Sequence, residues 1–409
     1  MSAAVVRERE VVWSAAVGTA SYDDDRETTA DTQYRIGSIT KTFTAVAVMQ
    51  LRDRGLLDLD DRLEEHLPDV AAGSPTIRRL LAHLSGFQRE AGEMWVTGDV
   101  PSDEDLLRGL AAYERVLPAA RAHHYSNLAY GLLGAVVARG GAMPYTEYVD
   151  EHVLRPLGLA RTSWQPQAVY AHGYLVDEYA GTVYREPHVD TRGVAAMGQL
   201  WSTVGDLCAW AAFLAEGDER VLAPDTVEEM WFPQVMVEPT RWDRGWGLGL
   251  ELVNRGERIF GGHGGAMPGH LAAVYVDRAT RVGAVALTNA GTRGMTSELA
   301  LELACATIEN WPAPPEPWRP EPDPPEHVRA LLGRWWSEGN EFVFTWKDGR
   351  VNARPTGVPP SVPSSVFEEV DGGWRVVSGR ERGERLRVEG DRLVWAGYLF
   401  TREQRPFAL

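Results

Sequence analysis

Eight of the fourteen residues from 312 to 325 are proline, and a stretch in which most backbone nitrogens carry no proton enters neither a helix interior nor the middle of a sheet. The 409-residue chain is therefore expected to fold as two units, residues 1–311 and 326–409, joined by an extended, semi-rigid linker over 312–325. Charge divides at the same place. Residues 326–409 carry 13 basic and 12 acidic side chains, so the chain's net charge of −17 resides in the first unit. That acidity argues against nucleic acid and anionic membranes as partners, and it suits small neutral or cationic ligands.

In the first unit, Ala3–Val6 and Val11–Val17 flank the charged Arg7–Glu10 and read as a β-hairpin. From Ser38 to about Arg54, Phe43, Val46, Ala47 and Leu51 recur at helical spacing, with Gly55 as the stop. Residues 56 to about 240 read as short helices and turns, among them Thr76–His83, Asn127–Arg139 and Thr203–Leu214. An antiparallel meander is expected over Leu248–Val253, Glu257–Gly262, Leu271–Val276 and Val282–Thr288, followed by a helix at Thr296–Asn310. Beyond the prolines, short strands at Phe342–Trp346, Val351–Ala353, Val366–Val370, Trp374–Val377, Arg385–Val388 and Leu393–Phe400 suggest a small antiparallel barrel, and the class is α+β.

Cys208 and Cys305 lie in apolar, helix-like stretches and are expected as buried thiols. The charged cluster Arg7–Glu10 precedes any run long enough for a signal-peptide core, and no stretch reaches the ~18–20 apolar residues of a membrane span, so cytoplasmic residence is expected.

The sharpest local pattern is Ser38-Ile39-Thr40-Lys41 at the start of the first helix, where residues three apart share a face. A serine hydroxyl needs an adjacent base to become a nucleophile. A lysine amine serves if its pKa of ~10.4 falls by about three units, through desolvation or neighbouring positive charge. Of the 41 basic residues 39 are Arg, which cannot lose a proton in this way; the two lysines are Lys41 and Lys347. With 16 serines and two lysines, the pairing arises by chance only about 0.08 times in such a chain. Tyr125-Ser126-Asn127 opens a second helix; its phenol can relay a proton to a leaving group, and its amide can support Lys41 and bind a substrate carbonyl. Third, in His263-Gly264-Gly265-Ala266 the glycines let a substrate backbone approach a strand edge, and the N–H groups of Ala266 and Ser38 can form an oxyanion hole.

Ser38-x-x-Lys41, Tyr125-x-Asn127 and His263-x-Gly265, in that order, resemble the serine β-lactamase-like hydrolases: class C β-lactamases, D-Ala-D-Ala carboxypeptidases, D-aminopeptidases and related esterases. Thr76–Phe87 and Gly198–Leu207 resemble further segments of the group, so the likeness runs from about residue 4 to 310. It implies a β-lactamase/transpeptidase-like antiparallel sheet with flanking helices and a helical subdomain. Ser38 would be the acylated nucleophile, Lys41 and Tyr125 the proton-transfer pair, and Asn127 and His263, with Gly264 and Gly265, the substrate-binding residues. The C-terminal barrel resembles the lipocalin-like domain some of these hydrolases append. β-Lactamases and carboxypeptidases usually have Lys at the place of His263, so penicillin hydrolysis is disfavoured. Members also usually have a helix before the first hairpin, which this chain starts almost inside.

The expected function is a serine hydrolase that cleaves a small ester or a peptide amide, with a D-residue as one option. The runner-up is a penicillin-binding-protein-type thioesterase or acyltransferase that cyclises or releases a nonribosomal peptide, and a third reading is a non-catalytic ligand-binding module. No cofactor and no metal are expected: the chain has no Gly-x-Ser-x-Gly elbow, His-Glu-x-x-His or Walker loop, and His123-His124 lacks the companions of a metal site. His83 reads as a structural hydrogen-bonding residue.

Overall fold

Strand β1 (Ser2–Arg7) turns back through Glu8-Arg9 into β2 (Glu10–Ala16), which gives the expected hairpin. The computed structural model describes residues 1–67, 74–292, 295–312, 320–359 and 362–405, and the chain divides into two units, Met1–Ala313 and Pro314–Leu409. The part of the proline-rich stretch at 313–319 lies outside the described residues.

In the first unit three helices matter for the site: α1 (Thr40–Asp53), α2 (Asn127–Gly140) and α3 (Val204–Glu216). After them come β3 (Val235–Glu238), β4 (Arg241–Trp246), β5 (Glu251–Arg255), β6 (Arg258–Met267), β7 (His270–Asp277), β8 (Val282–Thr288) and helix α4 (Thr296–Asn310). The eight strands form one sheet in the order β2-β1-β8-β7-β6-β5-β4-β3. The N-terminal strand thus pairs with the last strand of the sheet, Ser2 opposite Leu287 and Arg7 opposite Val282.

Period-two alternation sorts the central strands onto two faces. Val274, Val276, Val285 and Leu287 pack into the cluster that holds α1 and α3, while Ala273, Tyr275, Ala284 and Ala286 meet Ala300, Leu301 and Ala304 of α4 on the other side. Helix α1 is buried from Thr40 to Leu51, as expected of a helix apolar on most of its circumference. Its threonine hydroxyls are satisfied both within the helix and by distant core residues: Thr42 Oγ1 donates to Ile39 O and accepts from Trp210 Nε1, and Phe43 stacks on Trp210 at 3.7 Å between ring centroids. The N-terminal end of α1 is therefore fixed by core packing rather than by a loop.

Several expectations change. The strand expected to end at Gly262 runs on to Met267, because β7 offers it a partner through Met267 opposite His270. The hairpin β3–β4 was not anticipated, since its edge position leaves polar, partly exposed residues in place of an apolar run. Cys208 is buried, its thiol pushed up to about 12 by desolvation, but Cys305 is only partly buried.

The second unit is an eight-strand antiparallel meander: β9 (Gly333–Ser337), β10 (Asn340–Lys347), β11 (Arg350–Pro355), β12 (Ser365–Val370), β13 (Gly373–Ser378), β14 (Arg385–Glu389), β15 (Arg392–Trp395) and β16 (Tyr398–Phe400). Its ends meet through reciprocal backbone hydrogen bonds between Trp336 and Thr401, of 2.8 and 3.0 Å, which nearly closes the sheet into a barrel around Trp335, Phe344, Phe367 and Trp395. The single strand expected at Leu393–Phe400 is a hairpin, broken by Ala396-Gly397, both with positive φ. Among the described residues no helix is long and apolar enough to cross a membrane.

Candidate active site

Ser38 sits in the 3-10 turn Gly37–Ile39 that feeds α1. Helical geometry carries Lys41 back onto it, with Nζ 3.0 Å from Ser38 Oγ, and the amine also donates to Met197 O at 2.7 Å. Lys41 is fully buried and forms no ion pair among the described residues. Burial holds its pKa well below the usual lysine range; the Glu90 carboxylate acts in the opposite direction, and Arg89 adds to the lowering. A neutral amine beside a serine hydroxyl is a base in contact with its proton donor.

The N-terminus of α2 supplies the second group. Ser126 caps the helix by accepting from Ala129 N–H at 3.1 Å, donates its hydroxyl to Gln88 O at 2.7 Å, and its own N–H donates to His83 Nδ1 at 3.1 Å. This clamp fixes Tyr125, whose ring stacks on His83 at 4.2 Å and lies 5.0 Å from Lys41 Nζ. Desolvation raises the Tyr125 phenol well above its ordinary value, partly offset by its hydrogen bond with Ser38. Tyr125 is therefore a phenol, a proton donor, at neutral pH.

Asn127 differs from the expectation that it supports Lys41. Its Nδ2 donates to Glu90 Oε1 at 2.7 Å, while its Oδ1 and Glu90 Oε2 are both buried without a partner among the described residues. His263 lies with its ring 5.4 Å from Trp246 and 6.1 Å from Tyr125, and its Nδ1 bonds Gly264 O. Burial, then the Lys41 charge, pushes its pKa down to about 3, so the third-motif histidine is neutral.

Strand β6 brings the last element. Pairing with β5 stops at Gly262 opposite Glu251, so residues 263–267 present a free edge. The two-residue turn Pro268-Gly269 makes Met267 and His270 a hydrogen-bonded pair, and the alternation of the ladder then points the Ala266 N–H away from β7. That edge lies against the Gly37–Ile39 turn. A Cβ at Gly37, which has φ +51°, would fall 2.7 Å from Ala266 N, and one at Gly265 would fall 1.9 Å from Ile36 O and 3.4 Å from Ser38 N. The two glycines thus permit a backbone-to-backbone approach of the turn that carries Ser38 to the strand edge that carries Ala266.

The structure therefore brings Ser38, Lys41, Tyr125, Asn127, His263, Gly265 and Ala266 into one site, with Gly264 next to Ser297 on the adjoining edge. Met197, Glu90 and Trp246 join them without having been singled out in the sequence. Met197 contributes a backbone carbonyl and has no side-chain signal; Glu90 lies three residues beyond the Thr76–Phe87 segment and 37 residues from Asn127 in sequence, so no spacing marks it. Among the described residues no group of three or more His, Cys, Asp or Glu is placed to hold a metal ion.

The family model described as beta-lactamase matches residues 1–306. The chain belongs to the beta-lactamase family. A second model, a domain of unknown function (DUF7586), matches residues 324–402. Within the beta-lactamase group, Beta-lactamase-like protein 2 of Dictyostelium discoideum is 30% identical over 274 residues, 63% of this chain and 47% of that protein, so the match spans about half of that relative's length. The octameric penicillin-binding protein homologue from Pyrococcus abyssi shares the beta-lactamase fold with a TM-score of 0.68, at 23% identity, over 98% of this chain and 95% of that one. A D-stereospecific amidohydrolase from Streptomyces sp. superposes with a TM-score of 0.62 at 26% identity, over 76% of this chain and 94% of that one.

Proposed function

We propose that the protein is a serine hydrolase that forms an acyl-enzyme at Ser38 and cleaves a small ester or a peptide amide, with a D-residue on the acyl side of the bond. The observation that carries this reading is the buried Lys41 amine 3.0 Å from Ser38 Oγ. In acylation Ser38 Oγ bonds to the substrate carbonyl carbon while its proton passes to Lys41 Nζ, and the carbonyl oxygen takes up negative charge facing the N–H groups of Ser38 and Ala266. Collapse of this intermediate breaks the bond to the leaving amine or alcohol, which takes the Tyr125 proton; Lys41 reprotonates Tyr125. Water, activated by the same pair in reverse, then releases the acid and regenerates Ser38. The preference for a D-residue is supported by the likeness to the Streptomyces D-stereospecific amidohydrolase.

Two features define the substrate further. His263 is neutral and offers no cation for a substrate carboxylate, whereas Glu90 Oε2 and Asn127 Oδ1 are buried acceptors without a partner among the described residues, with Arg89 Nε 3.5 Å from the other Glu90 oxygen. A substrate with a free ammonium next to the scissile carbonyl supplies the missing N–H groups. The expected outcome is turnover of D-phenylalanine amide or its methyl ester ahead of the L-enantiomers by the wild type, and none by Ser38→Ala. Equal turnover by both proteins would refute the reading. Glu90→Gln is expected to raise KM for the free-ammonium substrate about 10-fold, while leaving KM for the N-acetyl analogue unchanged.

A further inference from the structure

We infer that the protein has a second binding site, for a carboxylate with an apolar body, in the cavity built around Arg35. Arg35 lies three residues before Ser38, in a two-residue strand, Tyr34–Arg35, that pairs with Trp201–Ser202. It is 1% exposed, yet it forms no ion pair among the described residues. One nitrogen, Nη2, donates to the neutral amide oxygen of Gln199 at 3.1 Å, an oxygen that already accepts from Thr191 N and Oγ1. Nε and Nη1 have no hydrogen-bond partner among the described residues. Asp190 acts on the guanidinium only through space, and its own oxygens accept from Gln165 Nε2 and Arg192 N. Burial lowers the Arg35 pKa to about 10, which leaves it charged at neutral pH. A buried guanidinium that no ion pair among the described residues offsets is a costly feature for a fold to retain.

The surroundings show what would compensate it. Arg35 lines a cavity of about 420 Å³, within the range of small-molecule sites. Trp201 Nε1 and His270 Nδ1, on residues that also line the cavity, are likewise buried without a hydrogen-bond partner among the described residues. The guanidinium lies 5.8 Å from the Trp201 ring, and His270 and His188 pack edge-on to that ring at 5.3 and 5.4 Å. Tyr170, Pro187 and Pro268 give the rest of the wall an apolar character. Arg185, also on the wall, is taken up by Asp23. Glu186 also lines the wall, but the carboxylate that acts on the Arg35 guanidinium is that of Asp190. The cavity thus offers one buried guanidinium without an ion pair among the described residues, further hydrogen-bonding nitrogens and flat apolar sides. One negative charge balances it, and the rings fit an aromatic or aliphatic body better than a hydrated inorganic ion.

Ser38, Lys41 and Tyr125 do not line this cavity. It is nonetheless built on the chain segments that carry the two oxyanion donors, since Arg35 precedes Ser38 and His270 follows Ala266 across the turn of β6–β7. An occupant would therefore brace both segments without entering the catalytic cleft.

Calorimetric titration of the full chain tests the site independently of any turnover. Phenylacetate is expected to bind saturably and at least ten-fold more tightly than phenylacetamide or inorganic phosphate, and to bind equally to protein whose Ser38 carries a phosphonate. Arg35→Gln is expected to lose phenylacetate binding. Trp201→Phe keeps a ring in the wall and removes only the N–H, and is expected to weaken binding several-fold with an unchanged circular dichroism spectrum. The inference is overturned by no saturable binding, by equal affinity for the amide or for phosphate, by loss of binding on Ser38 modification, or by full binding in a folded Arg35→Gln variant. If Ser38 resists the phosphonate, the reading of the catalytic site fails, while the comparison of the three ligands and two variants still decides this one.

Discussion

Lys41→Arg is expected to lower the rate of Ser38 acylation by at least ~10³-fold, and Lys41→Met to do the same while raising the melting temperature. The first effect follows from proton chemistry. A guanidinium keeps its charge and cannot accept the serine proton, so general-base assistance, generally ~10²–10⁴-fold, is lost along with the position of the turn. The second follows from burial. Lys41 is fully enclosed without an ion pair among the described residues, and its amine is held well below the ordinary lysine range, chiefly by desolvation. Between that depressed folded value and the ~10.4 of the unfolded chain, the unfolded state binds the extra proton, so stability rises with pH across this window and is reduced at pH values below it. Methionine has nearly the same length and no charge to desolvate. Lys41→Met should therefore show a higher melting temperature near neutrality and a flatter dependence of melting temperature on pH. In the wild type the acylation rate should climb with pH through the depressed Lys41 value, because only the neutral amine accepts a proton. Stopped-flow acylation and thermal melts over a pH series check both halves; an active Lys41→Arg variant would remove Lys41 from the mechanism.

A methyl group at Gly265 should have the next largest effect. Its Cβ would lie 1.9 Å from Ile36 O, a backbone atom of the turn that presents Ser38. Neither segment can yield by a side-chain rotation, so β6 or the turn must move and the two proposed oxyanion donors, the N–H groups of Ser38 and Ala266, part. Loss of one such donor generally costs ~10²–10³ in kcat, and Gly265→Ala is expected to fall by at least ~10²-fold with a lowered melting temperature. Gly264→Ala is the control. There the nearest atom is Ser297 Oγ at 2.9 Å, the end of a side chain that can rotate away, and activity is expected to stay within about five-fold of wild type. Equal losses in the two variants would show that the strand edge matters only as packing.

These contrasts show which parts of the molecule were legible in the sequence. Val282–Thr288 and Thr296–Asn310 are found at the boundaries read from the sequence because an unbroken apolar pattern decides each. The Ser38–Lys41 contact was legible for a local reason: one turn of helix fixes it. Strand β6 was cut short because Gly-Gly-His-Gly-Gly reads as a breaker, and only the presence of β7 alongside keeps it extended. Glu90, Met197 and Trp246 reach the site through loops and long-range pairings; one acts through a backbone carbonyl and none belongs to a spacing motif. The unpaired charge of Arg35 was hidden by composition, as one of 39 arginines. It becomes visible only when its neighbours are known to offer the neutral Gln199 amide and, among the described residues, no ion-paired carboxylate.

The acyl-enzyme at Ser38 is most directly tested by intact-mass measurement after reaction with a fluorescent alkyl phosphonate, followed by peptide mapping. The account predicts a single adduct on wild type, mapped to the peptide that contains Ser38, slowed by at least ~10³-fold in Lys41→Met and absent in Ser38→Ala. No adduct on wild type, or an equal adduct on Ser38→Ala, would contradict it.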